Sequence, residues 1–515
     1  MANRSLFSSL FATPGRRPDS ENREGAPAYG LGHEGKLAQL AATGTLSDTF
    51  YGRADGQLAD VLEVARAVDP WFVAQAAVYA RQTGAMKDMP ALLTAYLTVV
   101  DPDLASRVFA RVIDNGRMLR SFVQIMRSGQ VGRSSLGTRP KRLVQRWLDQ
   151  ASTRTLMAAA TGQAPSLADI VKMVHPKPGD ATRRAFYGWL LGKPYDVEAL
   201  PPEVAAFEAW KRDPLRDLPP VPFEWLTAFP LTREQWVTIA RRMGWQALRM
   251  NLNTLARHGV FKEEGATGVV VARLSDREAL RKVRPMPYQV MVALSQVEAG
   301  VPSEVRAALE EALEQSVRRV SRLGGRVVVC PDVSGSMTMP VTGYRRGASS
   351  VVRCVDVAAL LAAAILRGTP RARVLPFACD VVPLRLNLRN SVAVNAARLA
   401  SVCGGGTNVS APLAKLNAER AKVDLVVIVS DNQSWVDANS YGATATMGEW
   451  NKLKRRNPEA KLVCVDIAPY GTTQAHSRAD ILNVGGFSDA VFDAIARFHA
   501  GETRHWVEVV KQTEV

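Results

Sequence analysis

The chain has 515 residues, 47% of them hydrophobic and 22% charged, which is too long for one core and ordinary for a folded protein of two or more domains. Its formal net charge of +16 divides into an excess of +10 in residues 1–324 and +6 in residues 325–515, which favours a polyanionic partner over a basic or neutral one. No apolar run reaches the roughly 18 residues of a membrane-spanning helix, the first eleven residues carry no convincing signal-cleavage site, and five cysteines without CxxC spacing indicate neither a zinc site nor a disulfide framework. A reducing, cytoplasmic setting without membrane association is expected.

Residues 13–32 are rich in proline, glycine and charge and read as part of a flexible lead-in spanning residues 1–32. From about residue 33 to 323 the pattern is helical. Leu58, Val61, Leu62, Val64 and Ala65 begin one amphipathic segment; Pro70 opens the next, with Phe72, Val73, Ala76, Ala77 and Tyr79 as its apolar face. Further helices are predicted at about 89–99, 103–113, 117–128, 140–151, 167–174, 181–191, 202–212, 232–241, 244–257, 275–282, 286–298 and 302–323, most of them separated by proline or glycine. Many helices with almost no strand signal suggest stacked helical pairs, an all-α solenoid with degenerate HEAT-like repeats; a non-repetitive helical domain is the alternative.

Within that region residues 107–146 hold Arg107, Arg111, Arg117, Arg120, Arg127, Arg133, Arg139, Lys141, Arg142 and Arg146, with Asp114 the only acid. A solvated helix face usually alternates sign to gain i,i+4 pairs, and this stretch does not. Phosphate binding is the simplest use of such unpaired charge, and arginine binds phosphate oxygens two at a time and stacks on bases. Residues 129–142 form a Gly/Ser-rich loop running into a helix with Pro140 near its first turn, a candidate anion cradle or an ordinary loop. His175 and Lys177 follow on a rigid turn between Val174 and Pro178.

Gly324 and Gly325 mark a domain boundary, after which strands (326–331, 373–378, 425–430, 462–467 and about 481–484) alternate with helices (355–366, 391–401, 411–418, 445–456 and 488–499). This alternation predicts a doubly wound α/β domain with a parallel sheet over residues 326–515. Its first strand empties into Asp332, Ser334 and Ser336, spaced so that alternate side chains face one spot at a strand's carboxyl end, where open α/β sheets bind ligands. Asp431 ends a second apolar strand, and the loop 404–406 delivers Thr407. The set resembles the metal-ion-dependent adhesion site of von Willebrand factor A domains, whose pattern is DxSxS, then Thr, then Asp. Asp332, Ser334, Ser336, Thr407 and Asp431 match it completely. All-oxygen ligation with few carboxylates favours Mg²⁺, with Mn²⁺ or Ca²⁺ as substitutes. An ordinary Asp-Ser turn is the alternative for the first three residues alone.

A basic helical solenoid followed by such a domain resembles the TROVE-domain family of the Ro autoantigen and its bacterial orthologues. The likeness is carried by residues 132–147, 169–178, 243–252, 281–294, 404–413, 430–432 and 485–498, and spans roughly residues 35–500. It implies a ring of HEAT-like repeats closed by the A domain. It implies that small noncoding Y RNA binds the outer basic surface, and that single-stranded 3′ ends of misfolded RNAs enter a central cavity. His175 and Lys177 fall on the family's His-x-Lys-Pro motif. Residues 157–163, where family members carry basic side chains, have none here, which shifts expected RNA contacts toward the 107–146 tract. The loop 338–347, with Tyr344, Arg345 and Arg346, is a candidate contact for a strand leaving the ring.

Three functions compete. The first is a non-catalytic, monomeric RNA-binding protein of RNA quality control, with a 3′-to-5′ exoribonuclease as candidate protein partner. The second is an adaptor whose metal takes an Asp or Glu from a partner. A metal-dependent nuclease or phosphotransferase is weakest, because two carboxylates on one ion and no evident general base fall short of two-metal chemistry.

Overall fold

The computed structural model describes residues 17–44, 46–49, 53–318, 322–344, 352–435, 443–468, 470–503 and 505–515. They fall into two compact units, one of residues 69–285 with 293–312, the other of residues up to 68, 286–292 and 313–514.

The second of these is the α/β unit. Strands β3 (Val327–Pro331), β4 (Arg373–Val374), β5 (Leu425–Ser430), β6 (Lys461–Asp466) and β8 (Ile481–Gly485) form a parallel sheet in the order β4-β3-β5-β6-β8. β3 and β5 are buried along their whole length, as continuous Val/Ile/Leu runs covered on both faces should be. Helices Cys354–Gly368, Val392–Ala400, Ala411–Ala418, Ala445–Arg456 and Asp489–Ala500 follow the strands, close to expectation. Trp450, Met447 and Leu413 pack on Val426 and Ile428 in the core. β4 is regular over two residues where 373–378 was expected, yet its pairing with β3 runs on: Leu375 N–H and Phe377 N–H donate to Val329 O and Pro331 O, and Val333 N–H donates back to Phe377 O. Register sets the edge that matters: Pro331 pairs with Val429, and Ser430 with Asp466, so Asp332, Asp431 and Asp466 reach one end of the sheet.

The N-terminal segment departs from its expected role. Residues 1–16 of the predicted lead-in lie outside the described residues. β1 (Ser20–Glu21) and β2 (Pro27–Gly30) form a hairpin, and β2 pairs antiparallel with β7 (Thr472–Thr473). Helix α1 (His33–Thr43) packs on β8, burying Leu37, Ala38, Leu40 and Ala41, and α2 (Ala54–Arg66) packs on α1. Hence residues 20–43 complete the α/β unit, where the sequence suggested a lead-in and the start of the solenoid. Their partners lie more than 400 positions away, out of reach of any local pattern.

Among its described residues the other unit is helical throughout. α3 (Pro70–Gln82), α4 (Asp88–Val100), α5 (Pro102–Val112), α6 (Gly116–Arg127), α7 (Thr138–Gln150), α8 (Thr153–Ala159), α9 (Leu167–Val174) and α10 (Ala181–Leu190) each touch the next helix or the next but one, the pattern of a helical-repeat array. Asp69, Asp101, Asn115, Ser152, Ser166 and Asp180 cap six of them by accepting backbone N–H bonds, so the polar residues between helices are start signals. α8 and the helix Ala266–Leu274 were not foreseen, and the expected helix 244–257 breaks at Asn251. The helix expected over 302–323 is regular over Ser303–Val317, and residues 319–321 lie outside the described set.

Gly116 lets the start of α6 touch α8: a Cβ there would stand 2.4 Å from the Ala159 Cβ. Gly116→Ala should lower the stability of the helical unit by about 1–3 kcal/mol through overpacking. A urea-unfolding midpoint equal to that of the parent chain would contradict this close contact.

Candidate metal centre and basic surface

The DxSxS loop leaves β3 at the carboxyl edge and is held in shape by its own backbone. Ser334 N–H donates to Asp332 Oδ1 (2.8 Å), and Ser430 Oγ–H donates to Asp332 Oδ2 (2.6 Å). The hydroxyls of Ser334 and Ser336 lie 3.3 Å apart. The Thr407 loop is zipped to it, since Gly335 N–H donates to Gly405 O (2.8 Å) and Gly404 N–H to Val333 O (2.7 Å). A side chain at Gly335 would put its Cβ 3.2 Å from that same carbonyl, so glycine suits the approach. Trp435 N–H donates to Thr407 O (3.2 Å), tying in the Asp431 loop. The five residues expected as ligands therefore come from three loops on one edge, and all five are buried.

Their electrostatics suit a positively charged ligand. Asp332 and Asp431 are both completely buried. Burial, and for Asp332 the neighbouring Asp431 charge, push both carboxyl groups up from the ordinary aspartate range, that of Asp332 to about 7. Among the described residues no lysine or arginine pairs with either, and Asp431 Oδ2 has no hydrogen-bond partner. Two carboxylates, one of them with an orphaned oxygen, and three hydroxyls are a donor set that fits one hard divalent cation. Sequence reasoning missed a third carboxyl group at this edge: Asp466 is buried, pushed up to about 8 by desolvation, and held by Ala468 N–H (2.9 Å) and by Gln39 Nε2 of α1.

The basic tract is spread over α5, α6, the 128–137 loop and α7. Arg107, Arg117, Arg127, Arg133, Arg139, Arg142 and Arg146 are exposed, as are His175 and Lys177, while Lys141 is half-buried. On α7 the spacing of Arg139, Arg142 and Arg146 puts them on one face, opposite Pro140, Leu143, Val144 and Leu148 in the core. Asp114, the tract's only acid, is spent on Arg81 outside it (2.8 Å), leaving the tract's charge uncompensated from within. Three of the expected contacts are otherwise engaged, Arg139 in an exposed ion pair with Asp103 (3.7 Å). Arg120 is half-buried: its guanidinium donates to Ala159 O (2.9 Å) and lies where any side chain at Gly162 would sit, and burial and Arg117 lower its pKa. Arg111 donates to Gln82 Oε1 (3.1 Å).

His175 ends α9 in a left-handed conformation (φ 48°, ψ 63°), with its side chain exposed beside Pro176 and Pro178. Gln145 Nε2, between Arg142 and Arg146 on α7, donates to Val174 O (2.6 Å), so the basic helix and the histidine turn form one surface. A cavity of about 310 Å³ beside the turn is lined by Lys172, His175, Arg184, Lys193, Tyr187 and Val171 among others. A second, of about 780 Å³, shares Tyr187 with it and adds Arg146, Lys177 and Arg183. Lys172, Arg184 and Lys193 were not singled out from the sequence, since cations 12 and 9 positions apart make no local run.

A helical-repeat array joined to an A domain with a full adhesion-type ligand set defines a class of two-domain proteins. The family model described as the Ro60 vWA domain matches residues 326–499. A curated relative, the RNA-binding protein RO60 of Deinococcus radiodurans, is 26% identical over 534 aligned residues, covering 95% of this chain and 98% of the relative. The crystal structure of the Deinococcus radiodurans RO (RSR) protein shares the fold, with a TM-score of 0.59 at 22% identity over 92% of this chain and all of that one. Along nearly all of its length the chain is similar to a Ro protein, and its residues 326–499 match the Ro60 vWA domain.

The raised carboxyl groups fix how stability should follow pH when chelator is present. Between an ordinary aspartate pKa near 4 and the native values of about 7 for Asp332 and about 8 for Asp466, the folded chain holds more protons than the unfolded one. The stabilisation is complete below the lower limit and is lost as pH rises through the window. The melting temperature in chelator should fall from pH 5 to pH 8, and Asp466→Asn should flatten the upper part of that fall. A melting temperature that rises across the interval would contradict the burial of these groups.

Proposed function

We propose that this protein binds RNA as Ro proteins do, as a non-catalytic, monomeric scaffold of cytoplasmic RNA quality control. The observation that carries the reading is the cationic surface of α5–α7 and the 175–177 turn, where seven arginines stand exposed and the tract's one acid is paired elsewhere. The name of the Deinococcus radiodurans relative, an RNA-binding protein, supports it. Small noncoding Y RNA is the ligand we assign to this surface. Arginines on helices and loops suit an irregular RNA stem, and the absence of a base-reading motif suits phosphate contacts tolerant of sequence. Single-stranded 3′ ends of misfolded RNAs, and a 3′-to-5′ exoribonuclease acting on them, complete the proposal by resemblance. In the A domain we assign Mg²⁺ to Asp332, Ser334, Ser336, Thr407 and Asp431. The ion would neutralise the buried carboxylates and leave a coordination position for an outside oxygen ligand.

A second reading, an adaptor that takes a partner's carboxylate on the metal, has one observation in its favour. Trp435, bonded through its N–H to Thr407 O, leaves 52% of its surface exposed next to the centre.

The two readings separate by salt and by mutation. RNA affinity should fall steeply with ionic strength, with a log–log slope near −0.7 per phosphate contact for single strands and −0.9 for B-DNA-like duplex charge density. The triple variant Arg139→Glu, Lys141→Glu, Arg142→Glu should abolish binding in a filter-binding or gel-shift titration with a structured small RNA; normal affinity would refute the tract's role. Asp332→Ala should keep that RNA affinity and lose the rise in melting temperature that Mg²⁺ gives the parent chain at pH 8. If the variant loses RNA binding instead, the two sites are not independent.

A further inference from the structure

The loop that carries Asp431 is not held by the A domain alone. Gln433, completely buried, sits at the junction. Its backbone N–H donates to Asp431 Oδ1 (3.2 Å) and its Nε2 donates to Asp431 O (3.0 Å), gripping the ligand residue twice. Its remaining polar atom, Oε1, accepts from Arg23 N–H (2.8 Å), in the turn of the β1–β2 hairpin 410 positions earlier. One residue along, Asn22 Nδ2 donates to Ser434 O. Asn22 is itself buried, and its Oδ1 accepts from Glu24 N–H and Ala26 N–H, both at 3.0 Å, so one side chain both shapes the hairpin turn and fastens it to the Asp431 loop. β2 pairing with β7, and Gln39 on Asp466, anchor the same segment to the same edge.

Every polar atom of the Gln433 side chain is thus used, half on a ligand residue and half on the N-terminal hairpin. A loop three residues past a strand end has few constraints of its own, and groups that orient metal ligands from outside set affinity nearly as strongly as the ligands do. We propose that the hairpin of residues 20–30 is part of the metal centre, with Asn22 and Gln433 as positioning residues that hold Asp431 in ligating geometry. The inference rests on the assignment of a divalent cation to this site. It adds that cation affinity depends on the docked hairpin and, by thermodynamic reciprocity, that the cation tightens the hairpin.

The test uses the full chain and Mn²⁺ as a paramagnetic stand-in for Mg²⁺. Free Mn²⁺ is measured by electron paramagnetic resonance for the parent chain, Asp332→Ala, Gln433→Ala and Asn22→Asp. The last substitution keeps the acceptor that the turn needs and sets a carboxylate oxygen, which repels, in place of the donor to Ser434 O. Gln433→Ala and Asn22→Asp should weaken Mn²⁺ binding by about 10- to 100-fold, the usual cost of losing a group that orients a ligand. In parallel, Mg²⁺ should slow hydrogen exchange at the Arg23 and Ala26 amides of the parent chain and leave those of Asp332→Ala unchanged. If the parent binds Mn²⁺ and both positioning variants bind it equally well, with hairpin exchange indifferent to Mg²⁺, the proposal is overturned while the metal assignment stands. If the parent chain binds no Mn²⁺, the metal assignment itself fails and takes the proposal with it. Should Gln433→Ala not fold, Asn22→Asp and the exchange measurement decide.

Discussion

Two buried carboxylates that have no basic partner among the described residues are the constraint on which the A domain is built. A charge taken out of water costs several kcal/mol unless it is paired or hydrogen-bonded. Asp332 spends its oxygens on Ser334 N–H and Ser430 Oγ; Asp431 is gripped through Gln433 and keeps one oxygen bare. The neighbouring features answer this cost. Three hydroxyl residues stand in for larger side chains, a glycine loop brings Thr407 close, and the ladder register sets the strand ends level. A protein selected for stability alone would put apolar side chains at these positions. Their burial without such replacement argues for a ligand that offsets its cost.

Much of this was legible in the sequence because it is local. D-x-S-x-S is five consecutive residues, the strands before Asp332 and Asp431 are unbroken apolar runs, and helices α3–α7 announce themselves by spacing, α3, α5 and α6 by caps as well. The five candidate positions could be placed on one edge before any fold was known, since a strand end in a parallel sheet has one place to go. What escaped is what depends on distant pairing. β1 and β2 are two and four residues long and carry no alternation that a reader would trust; their meaning comes from Thr472 and Thr473. Asp466 looked like the end of one more strand, and its role appears only when Gln39 arrives from α1.

On the helical unit the sequence was right about composition and less exact about individuals. Ten cations in forty residues is a statement about a surface, and the surface exists; yet a guanidinium can be a structural clamp as readily as a phosphate ligand. Arg120 became a clamp because Gly162 leaves a gap that fits it. Gln145, uncharged and unremarked, has the opposite history, joining the basic helix to the His175 turn through one bond to Val174 O. Charge patterning finds where an anion would go, while hydrogen-bond geometry decides which side chains are still available to meet it.

The α/β unit takes its first strands from residues 20–30 and its last from residues 481–485, so the helical unit lies between two parts of its chain. During synthesis the hairpin emerges long before Thr472 and Gln433 exist to receive it. At roughly 5–20 residues per second the wait is tens of seconds, long enough for the helical unit to fold by its short-range contacts in the meantime. The A domain cannot complete the edge that carries Asp332 and Asp431 until residues 472–473 have been made, and completion of that edge therefore marks a chain whose every preceding segment already exists.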